Sequence, residues 1–182
     1  MSMPAIDRMI DEVIDREGGF VDHVADRGGP TRYGVTQAVA RAQGYAGPMR
    51  GLPRSFAVNT YRRLYWQAPR FNAVAERAAA LAAELFDTGI NMGPDVASGF
   101  LQCALNALNR NARDYPDVAV DRQIGPATLS ALDAFLAARG PAGEAVLLKA
   151  VEALQGERYL TLAEGRPANE AFLYGWLANR LG

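Results

Sequence analysis

Apolar residues recur at helical spacing at the beginning of the chain, and acidic residues occupy the faces between them. One face of a helix is formed by Ile6, Met9, Ile10, Val13 and Ile14. Spacings of three and four residues are typical of an amphipathic helix. Proline suits the first position of a helix and paired glycines end helices, so the pattern predicts a helix from about Pro4 to Arg16.

A glycine-rich polar segment follows this helix. Residues 18–36 hold five glycines and one proline, which excludes a continuous helix. We expect a loop that contains a short hairpin turning at Gly28-Gly29. Thr36 is a residue type that caps helices, and it predicts a short helix over residues 37–43.

Helical patterns dominate the rest of the chain. Ser55 is expected to cap a helix that runs to Gln67. Later helices are predicted over residues 75–90, 95–109, 126–138, 141–162 and 167–181. Gly93-Pro94 interrupts the pattern. We therefore predict a mainly α chain with two regions, residues 1–92 and 93–182, packed as one compact unit.

Composition supports this interpretation. Alanine, the strongest helix former, supplies 33 of the 182 residues. Hydrophobic residues make up 49% and charged residues 21%, as in ordinary globular proteins, so the chain is long and apolar enough to bury a core. The net charge of −1 leaves no basic face, which argues against binding of nucleic acid through phosphate contacts.

The sequence contains no signal for membrane insertion. No run of 18 apolar residues is present, so no transmembrane helix is expected. The first residues lack the basic end and the apolar stretch of a secretory signal. We therefore expect synthesis in the cytoplasm and, if the protein acts elsewhere, release by another route.

The cysteine and histidine content limits metal and thiol chemistry. Cys103 is the only cysteine and lies in an apolar helical stretch, so we expect it to pack in the core rather than to act as a nucleophile. His23 is the only histidine, which rules out a zinc site built on two histidines. We expect His23 to form hydrogen bonds within its loop, and we expect no metal.

The residues with the clearest chemical potential lie around the glycine-rich segment. Glu17 at the end of the first helix and Asp26 in the loop are nine residues apart, across a helix end and a turn. Cleavage of a glycosidic bond commonly needs two carboxyl groups on opposite sides of a cleft. Glu17 would be the protonated acid, kept neutral by burial beside Phe20, and Asp26 the ionised partner that activates water. Thr31 could hold that water.

A purely structural interpretation of the same residues stays open. Glu17 could interact only with its own helix end, and Asp26 could only nucleate a turn through its side chain. Asp87 and Asn91 stand one helical turn apart and could line a sugar groove or form a hydrogen-bond network at a helix end. Asp22 is a further candidate for substrate binding.

Aromatic residues supply candidates for stacking on sugar rings, because aromatic faces suit the apolar faces of pyranoses. The candidates are Tyr33, Tyr61, Tyr65 and Trp66. Such residues are as often part of a core. Tyr33 is the first choice because it lies in the glycine-rich loop.

The segment EGGFVDHVADRGGPTRYGVT, residues 17–36, resembles the signature of glycoside hydrolase family 108. This family comprises lysozyme-like N-acetylmuramidases found as phage endolysins and as secretion-associated cell-wall enzymes. The resemblance implies a lysozyme-like fold with a short hairpin after the first helix, and it makes Glu17 the catalytic acid. A similarity to phage-type lysozymes makes Asp26 and Thr31 the second and third catalytic members.

The resemblance extends to the second half of the chain. Residues 85–106 and 172–180 are similar to later segments of the family. The segment VDRQIGPATLSAL, residues 120–132, resembles the D-G-x-x-G-x-x-T motif of a peptidoglycan-binding region, with Arg122 where glycine is usual. For the turn at Asp121 with Gly125-Pro126, the start of a helix is the favoured interpretation over a ligand site. The resemblance implies a lysozyme-like catalytic region over residues 1–92 and a peptidoglycan-binding region over residues 93–182.

The expected reaction is hydrolysis of the β-1,4 bond between N-acetylmuramic acid and N-acetylglucosamine in bacterial peptidoglycan. Two carboxyl groups and water suffice, so no cofactor is expected, and similarity to phage-type lysozymes favours inversion. Action in the periplasm or cell wall implies release through a holin-type pore or its equivalent. The alternatives are a lytic transglycosylase, a non-catalytic wall-binding secretion accessory protein, and a chitinase-like or chitosanase-like enzyme.

Overall fold

A computed structural model of the chain describes residues 3–22 and 29–180. Three residues singled out above, His23, Asp26 and Gly28, lie outside the described residues. The chain divides into two compact units, residues 1–68 and residues 69–182. The first contains the helix and the glycine-rich segment with the candidate acid, and the second contains the later helices.

The first unit combines helices with a small antiparallel sheet. Its helices are α1 (Met3–Glu17), α2 (Gln37–Ala42) and α3 (Arg54–Tyr61). Its strands are β1 (Phe20–Val21), β2 (Thr31–Arg32) and β3 (Val35–Thr36), in the order β1-β2-β3. A turn of π-helix over Arg62–Gln67 continues directly from α3. The sheet therefore lies between α1 and α2 along the chain, as the sequence predicted for a hairpin.

Helix α1 buries its apolar stripe, and its acidic face forms ion pairs with α3 and with the π-helical turn that follows α3. Ile6, Ile10, Val13 and Ile14 are each no more than 3% exposed, whereas Met9 is half-buried. Arg54 of α3 donates to the carboxylates of Asp11 and Asp15, and Arg62 donates to Asp7. These ion pairs are partly exposed, so most of the stability comes from the buried stripe.

The turn between β2 and β3 contains two residues, Tyr33 and Gly34. Arg32 is paired with Val35, and both turn residues have positive φ, 55° for Tyr33 and 72° for Gly34. Two positive φ values are typical of the tight hairpin turn that matches the twist of the strands. The sequence did not predict this turn. The predicted hairpin turn is at Gly28-Gly29, and of these two residues Gly29 is described and has a φ of 70°.

The second unit is helical. Its helices are α4 (Phe71–Ala75), α5 (Ala79–Met92), α6 (Pro94–Leu108), α7 (Pro126–Arg139), α8 (Gly143–Glu164) and α9 (Glu170–Arg180). Helix α5 packs on α4, α6 and α8, and α8 also packs on α7 and α9. Its fully buried side chains include Phe71, Phe86, Leu101, Phe135 and Leu147. The predicted boundary between residues 92 and 93 stays a prediction.

Buried Gln102 of α6 organises the loop before α7. Its Nε2 donates to Asp121 Oδ1 at 2.7 Å and to the carbonyl of Gln123 at 3.0 Å, and its Oε1 accepts from the Arg122 N–H at 2.8 Å. The bonds from Gln102 and from the Gln123 N–H lower the pKa of Asp121. Helix α7 then begins at Pro126, as predicted. The Asp121 side chain therefore serves the turn that starts α7.

The caps of α2, α3 and α5 show how far local sequence decides where a helix begins. Thr36 caps α2 as predicted, because its Oγ1 accepts from the Val39 N–H at 3.2 Å. The prediction for Ser55 is wrong: α3 begins at Arg54, and Pro53 stands at the cap position without a side-chain bond. Glu144 of α8 instead caps another helix, because its Oε1 accepts from the first N–H groups of α5 at 2.7 and 3.2 Å.

Cys103 corrects a second expectation. The sequence places it in an apolar helical stretch, but its side chain is exposed. Helix α6 turns its buried face, which includes Leu101 and Leu105, toward α5 and α8. Cys103 lies two residues from each, on the side of the helix that faces away from that core.

A buried polar network joins α5 to α8. Thr88 donates to Glu84 Oε1 at 3.0 Å and accepts from Gln155 Nε2 at 2.9 Å. Burial raises the pKa of Glu84 to about 7, and the charges of Asp87 and Glu152 add to it, while the Thr88 bond and Arg180 oppose it. In the part of the chain that the structure describes, Gln155 Oε1 and the Tyr159 hydroxyl are buried without a hydrogen-bond partner.

We predict that the stability of the second unit falls as the pH rises through the range in which Glu84 ionises. The folded-state pKa of about 7 lies above the ordinary value of 4.5, so the native state binds more protons than the unfolded state between these values. The free energy of unfolding therefore decreases from about pH 4.5 to 7. Glu84→Gln, which stays neutral, removes this loss.

The measurement is the melting temperature of both proteins from pH 4 to pH 9. The variant should match the wild type near pH 4 and exceed it by several degrees at pH 8, since each kcal/mol is worth about 2–4 °C in a chain of this size. Glu164→Gln, at an exposed position, is the control. Parallel profiles for wild type and Glu84→Gln would contradict the prediction.

Candidate active site

Glu17 is the last residue of α1. The helix ends there because Gly18 adopts a φ of 74°, with its N–H still bonded to the Ile14 carbonyl at 3.1 Å. Glu17 is exposed, so the expectation that its carboxyl is buried beside Phe20 is wrong. The ring of Phe20 instead lies under the guanidinium of Arg50, 4.4 Å from its centroid. The candidate acid is open to solvent.

The side chains of Glu17 and Tyr61 meet at Gly34. A Cβ built on Gly34 would stand 2.2 Å from the Tyr61 hydroxyl oxygen and 2.8 Å from Glu17 Cγ. Both distances are shorter than any normal contact of a carbon atom, so only glycine fits at this turn position. The two side chains therefore occupy one small space beside the β2–β3 turn.

Tyr61 belongs to the core, which is the interpretation that the sequence left open beside stacking on sugars. It is 6% exposed and cannot offer a ring face to a ligand. Burial, together with the charge of Glu17 and of neighbouring Tyr65, raises the pKa of Tyr61. Its hydroxyl therefore stays protonated near neutral pH. An aromatic residue followed by glycine between two short strands was the available signal for this crowded turn.

The other stacking candidates separate into buried and accessible rings. Trp66 is 6% exposed and belongs to the core, so it is not a stacking residue. Tyr65 is half-buried, and its ring centroid lies 5.5 Å from that of Tyr61. Tyr33 is half-buried and is held by Arg32, whose guanidinium carbon lies 5.0 Å from the ring centroid. Tyr33 remains the candidate whose position is set by the same turn as Gly34.

Thr31 and Asp22 lie on the small sheet and next to it. Thr31 is half-buried in β2 and pairs with Val21 on one side and Thr36 on the other. Asp22 follows β1 and is exposed. The structure therefore places Thr31 three residues before Gly34, on the strand that leads into the crowded turn. The geometry of Asp26 lies outside the described residues, and its catalytic role stays a prediction.

Asp87 and Asn91 belong to the second unit and take part in a hydrogen-bond network. Asn91 Nδ2 donates to the Asp87 carbonyl at 2.7 Å and to its carboxylate at 3.1 Å. Arg180 of α9 binds the same carboxylate at 2.7 Å. This is the network at a helix end that the sequence left open beside sugar binding. A role of these two residues in substrate binding stays a prediction.

Within the described ranges, 3–22 and 29–180, no group of three or more histidine, cysteine, aspartate or glutamate side chains could hold a metal ion. No helix within the same ranges is long and apolar enough to cross a membrane.

Comparison with known proteins accounts for nearly the whole chain. Residues 10–93 match the family described as glycosyl hydrolase 108, and residues 96–181 match the predicted peptidoglycan domain. No curated protein matches the chain. Among solved structures, Brucella abortus SagA is 23% identical, with a TM-score of 0.65 over 98% of this chain and 91% of that one. This likeness concerns the fold, and the predicted mainly α, lysozyme-like fold is confirmed.

The two matches define a glycoside hydrolase whose second half is a peptidoglycan-binding domain. Residues 10–93 form a domain of glycosyl hydrolase family 108, as the signature around Glu17 indicated. The protein is an N-acetylmuramidase that hydrolyses the β-1,4 bond between N-acetylmuramic acid and N-acetylglucosamine in peptidoglycan. Peptidoglycan is thus its substrate.

We predict that Gly34→Ala destabilises the first unit and displaces Glu17. The added methyl group would collide with the Tyr61 hydroxyl and with Glu17 Cγ, and its φ of 72° disfavours any side chain. Overpacking of this kind costs about 1–3 kcal/mol. The free energy of unfolding should fall by that amount, and hydrolysis of peptidoglycan should fall with it.

Gly44→Ala is the matched control for backbone strain. Gly44 has a φ of 90° and nothing within 4 Å of its Cβ position. Both variants carry the strain of positive φ, so the difference in their denaturation curves isolates the collision. Equal stability and equal activity of the two variants would show that the space beside Gly34 does not matter.

Proposed function

We propose that Glu17 is the general acid of this muramidase. The observation that supports it is the position of Glu17 at the end of α1, exposed to solvent and beside the β2–β3 turn. A general acid must come within hydrogen-bond reach of the oxygen that it protonates. An exposed carboxyl at a helix end can be reached by a glycan strand.

Glu17 transfers its proton to the O4 of N-acetylglucosamine as the bond from that oxygen to C1 of N-acetylmuramic acid breaks. Asp26 takes a proton from the attacking water, whose oxygen forms the new bond to C1. Thr31 orients this water by its hydroxyl. The half-buried position of Thr31 on β2 and the family signature support this assignment. Attack on the face opposite the leaving group inverts the anomeric centre.

Neighbouring side chains act as positioning residues. Tyr61 is buried and fills the space beside Gly34, so it limits the rotamers that Glu17 can adopt. Tyr33 and Asp22 are proposed to contact the glycan from the turn and from the end of β1, and Asp87 and Asn91 to contribute to glycan binding in the second unit. Tyr33 offers a ring for stacking, and Asp22 an exposed acceptor for sugar hydroxyls.

Access to peptidoglycan requires passage across the cytoplasmic membrane, because the substrate lies outside it. We propose that the protein is synthesised in the bacterial cytoplasm and reaches the periplasm and the wall through a holin-type pore or an equivalent route.

We predict that Glu17→Gln lowers the rate of hydrolysis by at least ~10²–10⁴-fold, the usual contribution of a general acid. Mass spectrometry of digested sacculi should show muramic acid with a new reducing end for the wild type only. Glu12→Gln, at an exposed position of the same helix, is the matched control and should leave the rate unchanged. A Glu17→Gln protein with wild-type activity would remove Glu17 as the acid.

We predict that Asp26→Asn lowers hydrolysis by about 10²-fold or more, because the amide cannot accept the proton of the attacking water. The products of residual turnover should keep ordinary reducing ends. A variant that stays fully active and yields anhydro-ended muramic acid would indicate that the sugar's own hydroxyl attacks, as in a lytic transglycosylase. Asp95→Asn, at an exposed position with no assigned role, is the control and should leave the rate unchanged.

The release route predicts that lysis depends on a pore. Expression of the wild type in a bacterial cytoplasm should leave the wall intact until a holin is co-expressed, and Glu17→Gln should not lyse the cells in either case. Lysis by the wild type without any added pore would argue for a different route.

A further inference from the structure

A cleft in the second unit lies between α6, α8 and the loop that precedes α7. Its volume is about 290 Å³, at the small end of the range for ligand sites. The walls carry three apolar and three charged side chains, namely Val96, Phe100, Val120, Arg122, Glu157 and Arg158. Gly99 and Cys103 of α6 complete the lining. None of the residues assigned above to the reaction lines the cleft.

The two arginines of the cleft have no carboxylate partner among the described residues. Within residues 3–22 and 29–180, other arginines such as Arg54, Arg77 and Arg180 form ion pairs with carboxylates, but the guanidinium groups of Arg122 and Arg158 form none. Guanidinium groups bind carboxylates with two parallel hydrogen bonds. Glu157 also lines the cleft and supplies one negative charge, and its carboxylate accepts from the Thr161 hydroxyl at 2.8 Å. The cleft is therefore suited to a ligand that carries carboxylates and an amine.

The backbone of Arg122 is strained where its side chain enters the cleft. Its φ is 65°, in the left-handed region that disfavours residues other than glycine. The bond from its N–H to buried Gln102 holds this conformation. Its Cγ lies 3.3 Å from the Cβ position of Gly99, so α6 has no side chain where the arginine passes. Strain that is held in place by surrounding contacts points to a function of the strained residue.

The apolar side chains of the cleft suit a short peptide that carries small apolar groups beside its charges. Val120 is 48% exposed, and Phe100 and Val96 are half-buried. These side chains could cover the methyl groups of alanine residues. The glycan of the intact wall, in contrast, is neutral, because the lactyl carboxyl of each N-acetylmuramic acid is joined to a stem peptide, so it offers no group to two unpaired guanidiniums. The stem peptides of peptidoglycan contain alanine, free carboxylates and, before cross-linking, the amine of a diamino acid.

We propose that this cleft binds the stem peptide of peptidoglycan, with Arg122 and Arg158 on its carboxylates and Glu157 facing its free amine. The inference rests on peptidoglycan as the substrate and assigns the second unit to the peptide rather than to the glycan. It makes the enzyme prefer regions of the wall that carry uncross-linked stems.

The test is calorimetric titration of the full chain, carrying Glu17→Gln to prevent turnover, with the tetrapeptide L-Ala-D-Glu-diaminopimelate-D-Ala. Peptide-free glycan strands of N-acetylglucosamine and N-acetylmuramic acid form the second arm. The peptide should bind at low ionic strength and more weakly at high salt. A tetrapeptide with amidated carboxylates should bind at least ~10-fold more weakly, because two charge-assisted hydrogen bonds are lost.

Two variants separate binding from folding. Arg122→Gly relieves the backbone strain, so it should melt at or above the wild-type temperature and still lose at least ~10-fold in peptide affinity. Arg122→Gln/Arg158→Gln should abolish binding. Lys149→Gln/Arg166→Gln is matched in charge; Lys149 lies nine residues before Arg158 on α8, about 14 Å away and on the opposite face, so this control should bind like the parent.

The proposal is overturned if the double arginine variant keeps the parent affinity, or if only peptide-free glycan binds. Release of reducing ends from peptide-free glycan, measured with wild-type Glu17, reports on the muramidase separately. Hydrolysis without tetrapeptide binding would remove the cleft assignment and leave the enzyme. Tetrapeptide binding without hydrolysis would support the cleft and count against the proposed catalytic residues.

Discussion

The space beside Gly34 is the constraint on which the candidate active site depends. The end of α1 and the end of α3 both deliver a side chain to this turn, and the turn can accept them only because it has no Cβ. The tight hairpin between β2 and β3 and the position of Glu17 are therefore one feature. Burial of the apolar stripe of α1 stabilises this arrangement, because it fixes the helix whose last residue is the proposed acid.

Two carboxyl groups illustrate how the two units use burial differently. Glu84 is half-buried in the network between α5 and α8, and its ionisation opposes folding near neutral pH. Glu17 is exposed at a helix end. A half-buried acid in a hydrogen-bond network affects the packing of helices. An exposed acid contributes little to stability, so the interest of Glu17 lies in the chemistry that we propose for it.

A positive φ occurs in both units, at a residue without a side chain in one and at a residue with a long side chain in the other. At Gly34 it forms a turn that must leave room for two other side chains, and glycine satisfies both needs. At Arg122 it is adopted by a residue with a long charged side chain, and the buried amide of Gln102 holds the backbone in place. The first case needs the absence of a side chain. The second case keeps a side chain despite the strain, and this side chain lines the cleft that we propose for the stem peptide.

The sequence by itself determined the helices with strong periodicity, the Thr36 cap, the start of α7 and the family signature around Glu17, because these depend on neighbours a few residues apart. It did not determine the two-residue turn at Tyr33-Gly34, the burial of Tyr61, or the exposure of Glu17 and Cys103. Each of these depends on contacts between distant parts of the chain. Tyr61 comes close to Gly34, 27 positions before it, and to Glu17, 44 positions before it, only in the folded chain. Tertiary packing therefore decided which of the candidate residues stand together, while local chemistry decided what each of them could do.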